Sequence, residues 1–363
     1  MTPSALTVGI IGLGFGRAHI PAFQANGCQV VALCQRDQAT AKALADRYRV
    51  PRVFGEWEAM LEASRPDIAV IATPPHLHHP IALRAFAQGA HVLCEKPLAM
   101  SRVEGEAMAD AAERSGRVAM TSFNWRFVPA MQELHARVEE GVLGRVFHVS
   151  GRWMGARWAK ETDAATWRMD RAQAGHGSMG DMGVHLVDFV RWSFGEIVRV
   201  AARAGVAYPQ RSAPGLARPA DAEDYCAIVG ELASGATVAL TTSRVARGLN
   251  EHALDAFGTG GGLSYRFVRE GGRWWEGELR ATASGDALSL VTPRVATDGS
   301  AGEGDQMEVI GKATIGPLVA RFVDAIRTGA PPSPSFRDGV RAQAVLDAVL
   351  AATARGGWVE VAR

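Results

Sequence analysis

Leu6-Thr7-Val8-Gly9-Ile10-Ile11-Gly12-Leu13-Gly14-Phe15-Gly16 is a short apolar run of strand type that breaks into alternate glycines. Arg17–Asn26 follows with helical character and stops before Gly27. A strand, a glycine turn and a helix in that order form a cradle for a pyrophosphate. Glycine permits the tight turn and the close backbone approach, and the helix N-terminus attracts the negative charge. The spacing departs from the usual fingerprint, because Gly16 comes two positions after Gly14 and Arg17 stands in the third glycine's place. Gly12, Gly14, Phe15 and Gly16 are the candidate phosphate contacts.

Working outward, strands and helices alternate. Gln29–Cys34 is a second strand, Ala39–Arg47 a helix, Ile68–Ala72 a buried strand, His79–Gln88 a helix and His91–Cys94 another strand. Ser101–Arg114 is a helix with Ser101 at the N-cap and Glu104 in the capping-box position, and Val118–Thr121 closes the series. Continuous apolar strands alternating with helices predict an α/β Rossmann domain with a parallel sheet, over residues 1–122. The rhythm then changes. Pro129–Glu139 reads as a helix, Val146–Trp153 as a strand and Met179–Trp192 as an amphipathic helix. Strands at Val198–Ala204, Tyr225–Leu232, Thr237–Ser243, His252–Phe257 and Leu263–Phe267 have no helices between them. Residues 123–363 are therefore expected to form an α+β domain with a large, mostly antiparallel open sheet. Its terminal helices, Gly316–Arg327 and Arg337–Ala354, could pack back on the first domain. The stretches 208–222, 281–305 and 329–335 read as loops, and Gly258 to Gly262 as a hairpin turn.

With 363 residues, two domains are the default. A net charge of +1 supplies no basic field for nucleic acid, and no apolar run is long enough to span a membrane. The four cysteines show no metal or redox spacing, and a reducing cytoplasm is the simplest setting.

Ligands of open α/β sheets bind at the carboxyl ends of the strands. The second strand ends in Gln35-Arg36-Asp37, about 20 residues after the turn, where an acid would bind the ribose hydroxyls of NAD. Gln35 does not repel a 2′-phosphate and Arg36 can pair with one, so NADP is favoured over NAD, with Asp37 able to take the acidic role if the strand runs longer. Thr73-Pro74-Pro75 marks the loop leaving the third apolar strand. The neighbouring His76, His78 and His79 lack the carboxylate or cysteine pattern of a metal site, and no metal is expected. Lys96, in Glu95-Lys96-Pro97, leaves the same sheet edge, and a cation there can stabilise a developing alkoxide. Asp181 and His185, four residues apart, share a helix face, and His is the natural base for a hydroxyl proton near neutral pH. Asp181 could orient that base or the substrate. Gly175-His176-Gly177-Ser178-Met179-Gly180 leads into the helix, and Trp167-Arg168 upstream could line the same cleft.

These residues resemble the glucose–fructose oxidoreductase / inositol dehydrogenase / rhizopine-catabolism (Gfo/Idh/MocA) oxidoreductases over nearly the whole chain. The resemblance is carried by Ile10 to Gly14, Ile71 to His78, Glu95-Lys96-Pro97, Asn124 to Ala130, Asp181-Met182-Gly183-Val184-His185, Phe322 to Ile326 and Arg337-Asp338-Gly339. It implies hydride transfer between NAD(P) and a secondary alcohol or ketone of a sugar, polyol or inositol-like compound. Lys96, Asp181 and His185 match the catalytic set. Thr73, Pro74, His78, Glu95, Lys96 and Asn124 join the cofactor contacts, and Arg126, Trp167, Arg168 and His176 the substrate lining. The resemblance also implies a cis Lys96-Pro97 bond and a homodimer or homotetramer formed through the open sheet. Rival readings are an enzyme that retains its cofactor and catalyses epimerisation or glycoside cleavage through a keto intermediate, and a non-catalytic nucleotide sensor.

Overall fold

The computed structural model describes residues 5–211, 219–283, 287–295, 297, 302, 304 and 306–363. The chain forms two compact units, Met1–Asn124 with Ser300–Val340, and Trp125–Gly299 with Arg341–Arg363. The first runs β1 (Thr7–Ile11), α1 (His19–Ala25), β2 (Gln29–Cys34), α2 (Gln38–Tyr48), β3 (Arg52–Phe54), α3 (Trp57–Ser64), β4 (Ile68–Ile71), α4 (His78–Ala87), β5 (His91–Cys94), α5 (Arg102–Ser115) and β6 (Ala119–Thr121). The second contains α6 (Pro129–Glu139), β7 (Val146–Met154), α7 (Arg171–Ala174), α8 (Val184–Phe194), β8 (Ile197–Gly205), β9 (Tyr225–Leu232), β10 (Thr237–Ser243), β11 (Glu251–Gly258), β12 (Gly261–Val268), β13 (Glu278–Thr282) and β14 (Ser289–Val291). The chain ends with α9 (Gln306–Ile310), α10 (Gly316–Thr328), α11 (Phe336–Arg355) and β15 (Val359–Glu360).

In the first unit six parallel strands lie in the order β3-β2-β1-β4-β5-β6. The order reverses between β1 and β4, which is where a doubly wound sheet opens a crevice for a dinucleotide. Strands β4 and β5 are apolar on both faces because helices cover both, as in Ile68–Ile71, all buried. The capping box forms: Ser101 accepts from the Glu104 amide, and Glu104 accepts from the Met100 amide. Segment β3–α3, absent from the sequence reading, is short and weakly periodic. Met60 and Leu61 on α3 nevertheless enter the core fully. Helix α10 docks in this unit, with Phe322 edge-on to Phe23 of α1. The loop predicted at 329–335 is observed, while 208–222 and 281–305 lie partly outside the described residues and the latter includes β14.

In the second unit nine strands are ordered β14-β13-β12-β11-β7-β10-β9-β8-β15, antiparallel except for β10 against β7. Strand β9 alternates strictly, with Cys226, Ile228 and Gly230 buried and Tyr225, Ala227 and Val229 exposed, so one sheet face carries the core and the other is open. The glycines from Gly258 close the β11–β12 hairpin, where Gly258 pairs with Gly261. All four cysteines are free and buried, and burial pushes the Cys34 and Cys226 thiols up to about 12.

Burial lowers the pKa of several histidines. Burial holds the pKa of His78 below the ordinary value, against the pull of nearby carbonyls, and holds His252 well below it, helped by the charge of Arg269. Burial also lowers His176, against the charges of Glu223 and Asp347. The unfolded chain therefore binds more protons than the native one below the unfolded value of about 6.5, and stability rises with pH in that range. The melting temperature should be level above about pH 6.5 and fall steadily as the pH drops below it. A level melting temperature down to pH 5 by calorimetry would refute this.

Candidate functional site

The first unit presents a nucleotide edge. Gly12 takes φ +87°, and a Cβ there would lie 2.5 Å from the carbonyl oxygen of Ala72, so the turn needs glycine both for its conformation and for its approach to the end of β4. A Cβ on Gly14 would meet nothing within 4 Å, which leaves open space over the middle of the turn. Gly16 packs on the sheet, its would-be Cβ 3.0 Å from that of Ala72. The shortened turn thus keeps the three usual glycine tasks and moves helix–strand packing to Gly16. Phe15 beside it is half-buried. The hydroxyl of Thr73 is buried without a protein partner at the β4 edge, next to half-buried Pro74. Open space at Gly14 and an orphaned Thr73 hydroxyl at the strand ends fit a dinucleotide.

The tip of β2 is organised by side chains. Gln35 accepts from the Leu13 amide at 3.2 Å, tying the strand tip to the glycine turn. Asp37 caps α2, accepting from the Ala39 and Thr40 amides and the Thr40 hydroxyl, and the Thr40 hydroxyl leads the bonds that lower its pKa. Strand β2 ends at Cys34, so the longer strand on which Asp37 would take the acidic role does not form. Arg36 between them is exposed.

Two buried struts brace the β4 and β5 edges. His78, expected as a cofactor contact, is fully buried and bridges loops, with Nδ1 3.0 Å from the Pro97 carbonyl and Nε2 2.9 Å from that of Thr73. Its work is to hold Thr73 and the Lys96-Pro97 turn in place. That Lys96-Pro97 bond is cis. Glu95 is buried against His19 at 2.8 Å. Burial works to raise the Glu95 pKa, but the hydrogen bond and charge of His19 and the charge of Lys96 outweigh it and hold the carboxyl below its usual range. Lys96 itself is half-buried. Asn124 is buried and donates to the Thr314 hydroxyl at 2.7 Å.

The second unit presents the helix that carries Asp181 and His185. The predicted continuous helix is interrupted: Met179–Gly183 is a π-turn, and α8 begins at Val184. Asp181 lies in the π-turn and His185 in the first turn of α8. A π-turn inside a helix re-aims side chains and recurs at functional sites. A Cβ on Gly183 would sit 2.5 Å from the Met179 sulfur, so glycine lets the wide turn close. His185 is 2% exposed, stacked on Trp153 at 5.4 Å and edge-on to Trp125 at 6.3 Å. Asp181 faces Arg168 at 3.6 Å, and Arg168 lies over the Trp167 ring. Arg269 lies over Trp125. Burial lowers its pKa, opposed by the charge of Asp181. Arg126 and His176, expected to line the pocket, are both buried. Arg126 binds Asp188 bidentately, and His176 lies 3.2 Å from Gln343 and 3.9 Å from Asp347. Among the described residues no cluster of His, Cys, Asp or Glu could hold a metal ion, and no helix is long and apolar enough to cross a membrane.

Comparison with known proteins agrees with this geometry. The Gfo/Idh/MocA profile described as an oxidoreductase family with an NAD-binding Rossmann fold matches residues 6–123, and the family's C-terminal domain profile matches 131–264. The chain belongs to the Gfo/Idh/MocA oxidoreductase family. It is 30% identical to levoglucosan dehydrogenase of Pseudarthrobacter phenanthrenivorans over 98% of both chains. It is 35% identical to D-xylose 1-dehydrogenase (NADP(+)) 2 of Haloferax volcanii over 54% of this chain and 58% of that one. The solved complex of levoglucosan dehydrogenase with NADH and levoglucosan superposes with a TM-score of 0.86 at 27% identity, covering 99% of this chain and 100% of that one.

Within this Gfo/Idh/MocA chain, sequence reasoning passed over His19, the partner of Glu95, and Thr314, the partner of Asn124, as well as Arg269 and Glu223. Only the capped, glycine-flanked and strand-end residues announce themselves locally. The partners of the others lie 76, 190 and 44 or more positions away, as in His19 with Glu95, Asn124 with Thr314, and Met179 with Glu223. Arg269 follows β12 with no local pattern to mark it.

Proposed function

We propose that this oxidoreductase is an NAD(P)-dependent dehydrogenase or reductase acting on a secondary alcohol or ketone of a sugar or polyol. The observation that carries the reading is His185, packed against two indole rings one turn after Asp181, in a chain whose other unit carries a nucleotide edge. The nicotinamide, when bound, accepts or returns the hydride. His185 takes the hydroxyl proton as the alcohol is oxidised and returns it on reduction. Lys96 stabilises the negative charge that develops on the same oxygen. Asp181, with Arg168 and Trp167, orients the substrate beside that base. Gly12, Gly14, Phe15, Gly16, Thr73, Pro74 and Glu95 would hold the dinucleotide. The test is reduced-nicotinamide absorbance with levoglucosan, D-xylose, D-glucose and inositols, each with NAD and NADP. No absorbance change with any of them would sink the proposal, and turnover without added oxidant would favour a cofactor-retaining enzyme.

For the cofactor we propose a preference for NADP. Gln35 stands at the β2 tip, where an acid would repel a 2′-phosphate, and exposed Arg36 can pair with one. Arg36→Ala should weaken NADP binding by roughly 10-fold or more and leave NAD nearly unchanged. Fluorescence titration showing equal loss for both would overturn the assignment. We further propose a homo-oligomer joined through the open face of the second sheet, where Tyr225 and Val229 are each 47% exposed. Sedimentation of Val229→Glu should show a smaller species than the parent protein.

A further inference from the structure

We propose that Glu223 is the positioning residue of the acid/base helix, clamping the chain that leads into Asp181 and His185; this rests on the reading of those two residues given above. Three successive amides converge on Glu223. Its Oε1 accepts from Gly177 at 2.8 Å and from Met179 at 3.1 Å, and its backbone carbonyl accepts from Ser178 at 2.7 Å. The residue is 3% exposed, and Arg171 stands 3.6 Å from Oε2. A buried carboxylate receiving amides at the start of a helix forms charge-assisted bonds, stronger than neutral ones and favoured by the helix dipole.

The clamp connects directly to the catalytic residues. The Gly177 carbonyl accepts from the Asp181 amide at 3.0 Å. Met179, held at its amide by Glu223, accepts at its carbonyl from Val184, the residue before His185. Asp181 is thus one backbone hydrogen bond from a residue that Glu223 grips, and so is Val184, the chain neighbour of His185. Only glycine fits at 177, since a Cβ there would lie 1.9 Å from the Glu223 carbonyl oxygen. Ser178 ties the same segment to Thr242 of β10 at 3.0 Å, so without Glu223 the segment would keep its seat on the sheet but lose its fixed pitch into the π-turn.

The experiment compares full-length Glu223→Ala, Glu223→Gln, Gly177→Ala and His185→Ala. Amide hydrogen exchange is followed over 177–184, and steady-state kinetics use levoglucosan, D-xylose and D-glucose with NAD and NADP. In Glu223→Ala these amides should exchange roughly 10-fold faster or more. Turnover should fall roughly 10- to 100-fold, as for a misplaced reacting group. The cofactor KM should stay within about twofold, and the primary deuterium isotope effect should rise as chemistry becomes limiting. Glu223→Gln keeps the accepting oxygen and should recover most of both losses. Gly177→Ala should reproduce Glu223→Ala, and the double variant should be little worse than either single one. Unchanged exchange over 177–184 in Glu223→Ala overturns the clamp, and so does turnover near the parent level while His185→Ala is inactive. If His185→Ala keeps its turnover, the acid/base reading falls. The exchange measurement then decides the clamp by itself, as it does if none of the three sugars reacts.

Discussion

His185→Ala and Lys96→Ala should each lower turnover by roughly 100-fold or more, the usual scale for a lost acid/base group. As the hydride leaves carbon, the proton must leave oxygen. A base and a cation acting on one hydroxyl lower that barrier together, so the two losses should not add when combined. His185 is suited to the base role by its surroundings. Two indoles hold its ring, so little orientation is left to be fixed in the transition state. Dinucleotide binding should survive His185→Ala, because the proposed cofactor contacts are the glycine turn and strand tips of the first unit. Stopped-flow hydride transfer on the best substrate, with titration of the reduced dinucleotide, separates the two effects. Near-normal single-turnover rates in His185→Ala would end the proposed chemistry.

Asp188→Ala should cost about 3–5 kcal/mol of stability, the scale for breaking a buried ion pair by removing one partner. Asp188 is fully buried on α8, and its carboxylate takes both Nε and Nη2 of Arg126 at 2.7 and 2.5 Å. Arg126 also lies over the Trp192 ring at 5.2 Å. Removing the carboxylate takes both of these bonds from a guanidinium that is 4% exposed. Urea unfolding should show the loss, and the melting temperature should drop by on the order of 10 °C. Replacing both partners, Arg126→Met with Asp188→Leu, should be less damaging than the single change, because no uncompensated charge remains. A single variant within 1 kcal/mol of the parent would show that the pair is not what secures α8.

Much of the site was legible because its parts are local. The glycine turn after β1, the Ser101 capping box, and the strand-end runs at Thr73 and Glu95-Lys96 each announce themselves over a few residues. Asp181 and His185 were legible as neighbours on one helix. The interruption of that helix was not, since a π-turn is set by what grips the chain, here Glu223 far along the sequence. Arg126, His176 and His78 were visible as polar residues near conspicuous motifs. Their burial and their partners are set by other elements of the fold.

Hydrophobic periodicity and turn chemistry determined the class of each half, because alternation of period 2, continuous apolar strands and glycine breaks are properties of adjacent residues. The family motifs likewise reside in short contiguous runs. Tertiary structure alone decided which polar groups work as ligand contacts and which as braces. It committed Asp37 to a helix cap, paired Glu95 with His19, and gathered three amides onto Glu223. The reason is energetic: a buried polar group must find a partner or pay for desolvation. That partner is chosen by packing, from residues the linear order keeps far apart.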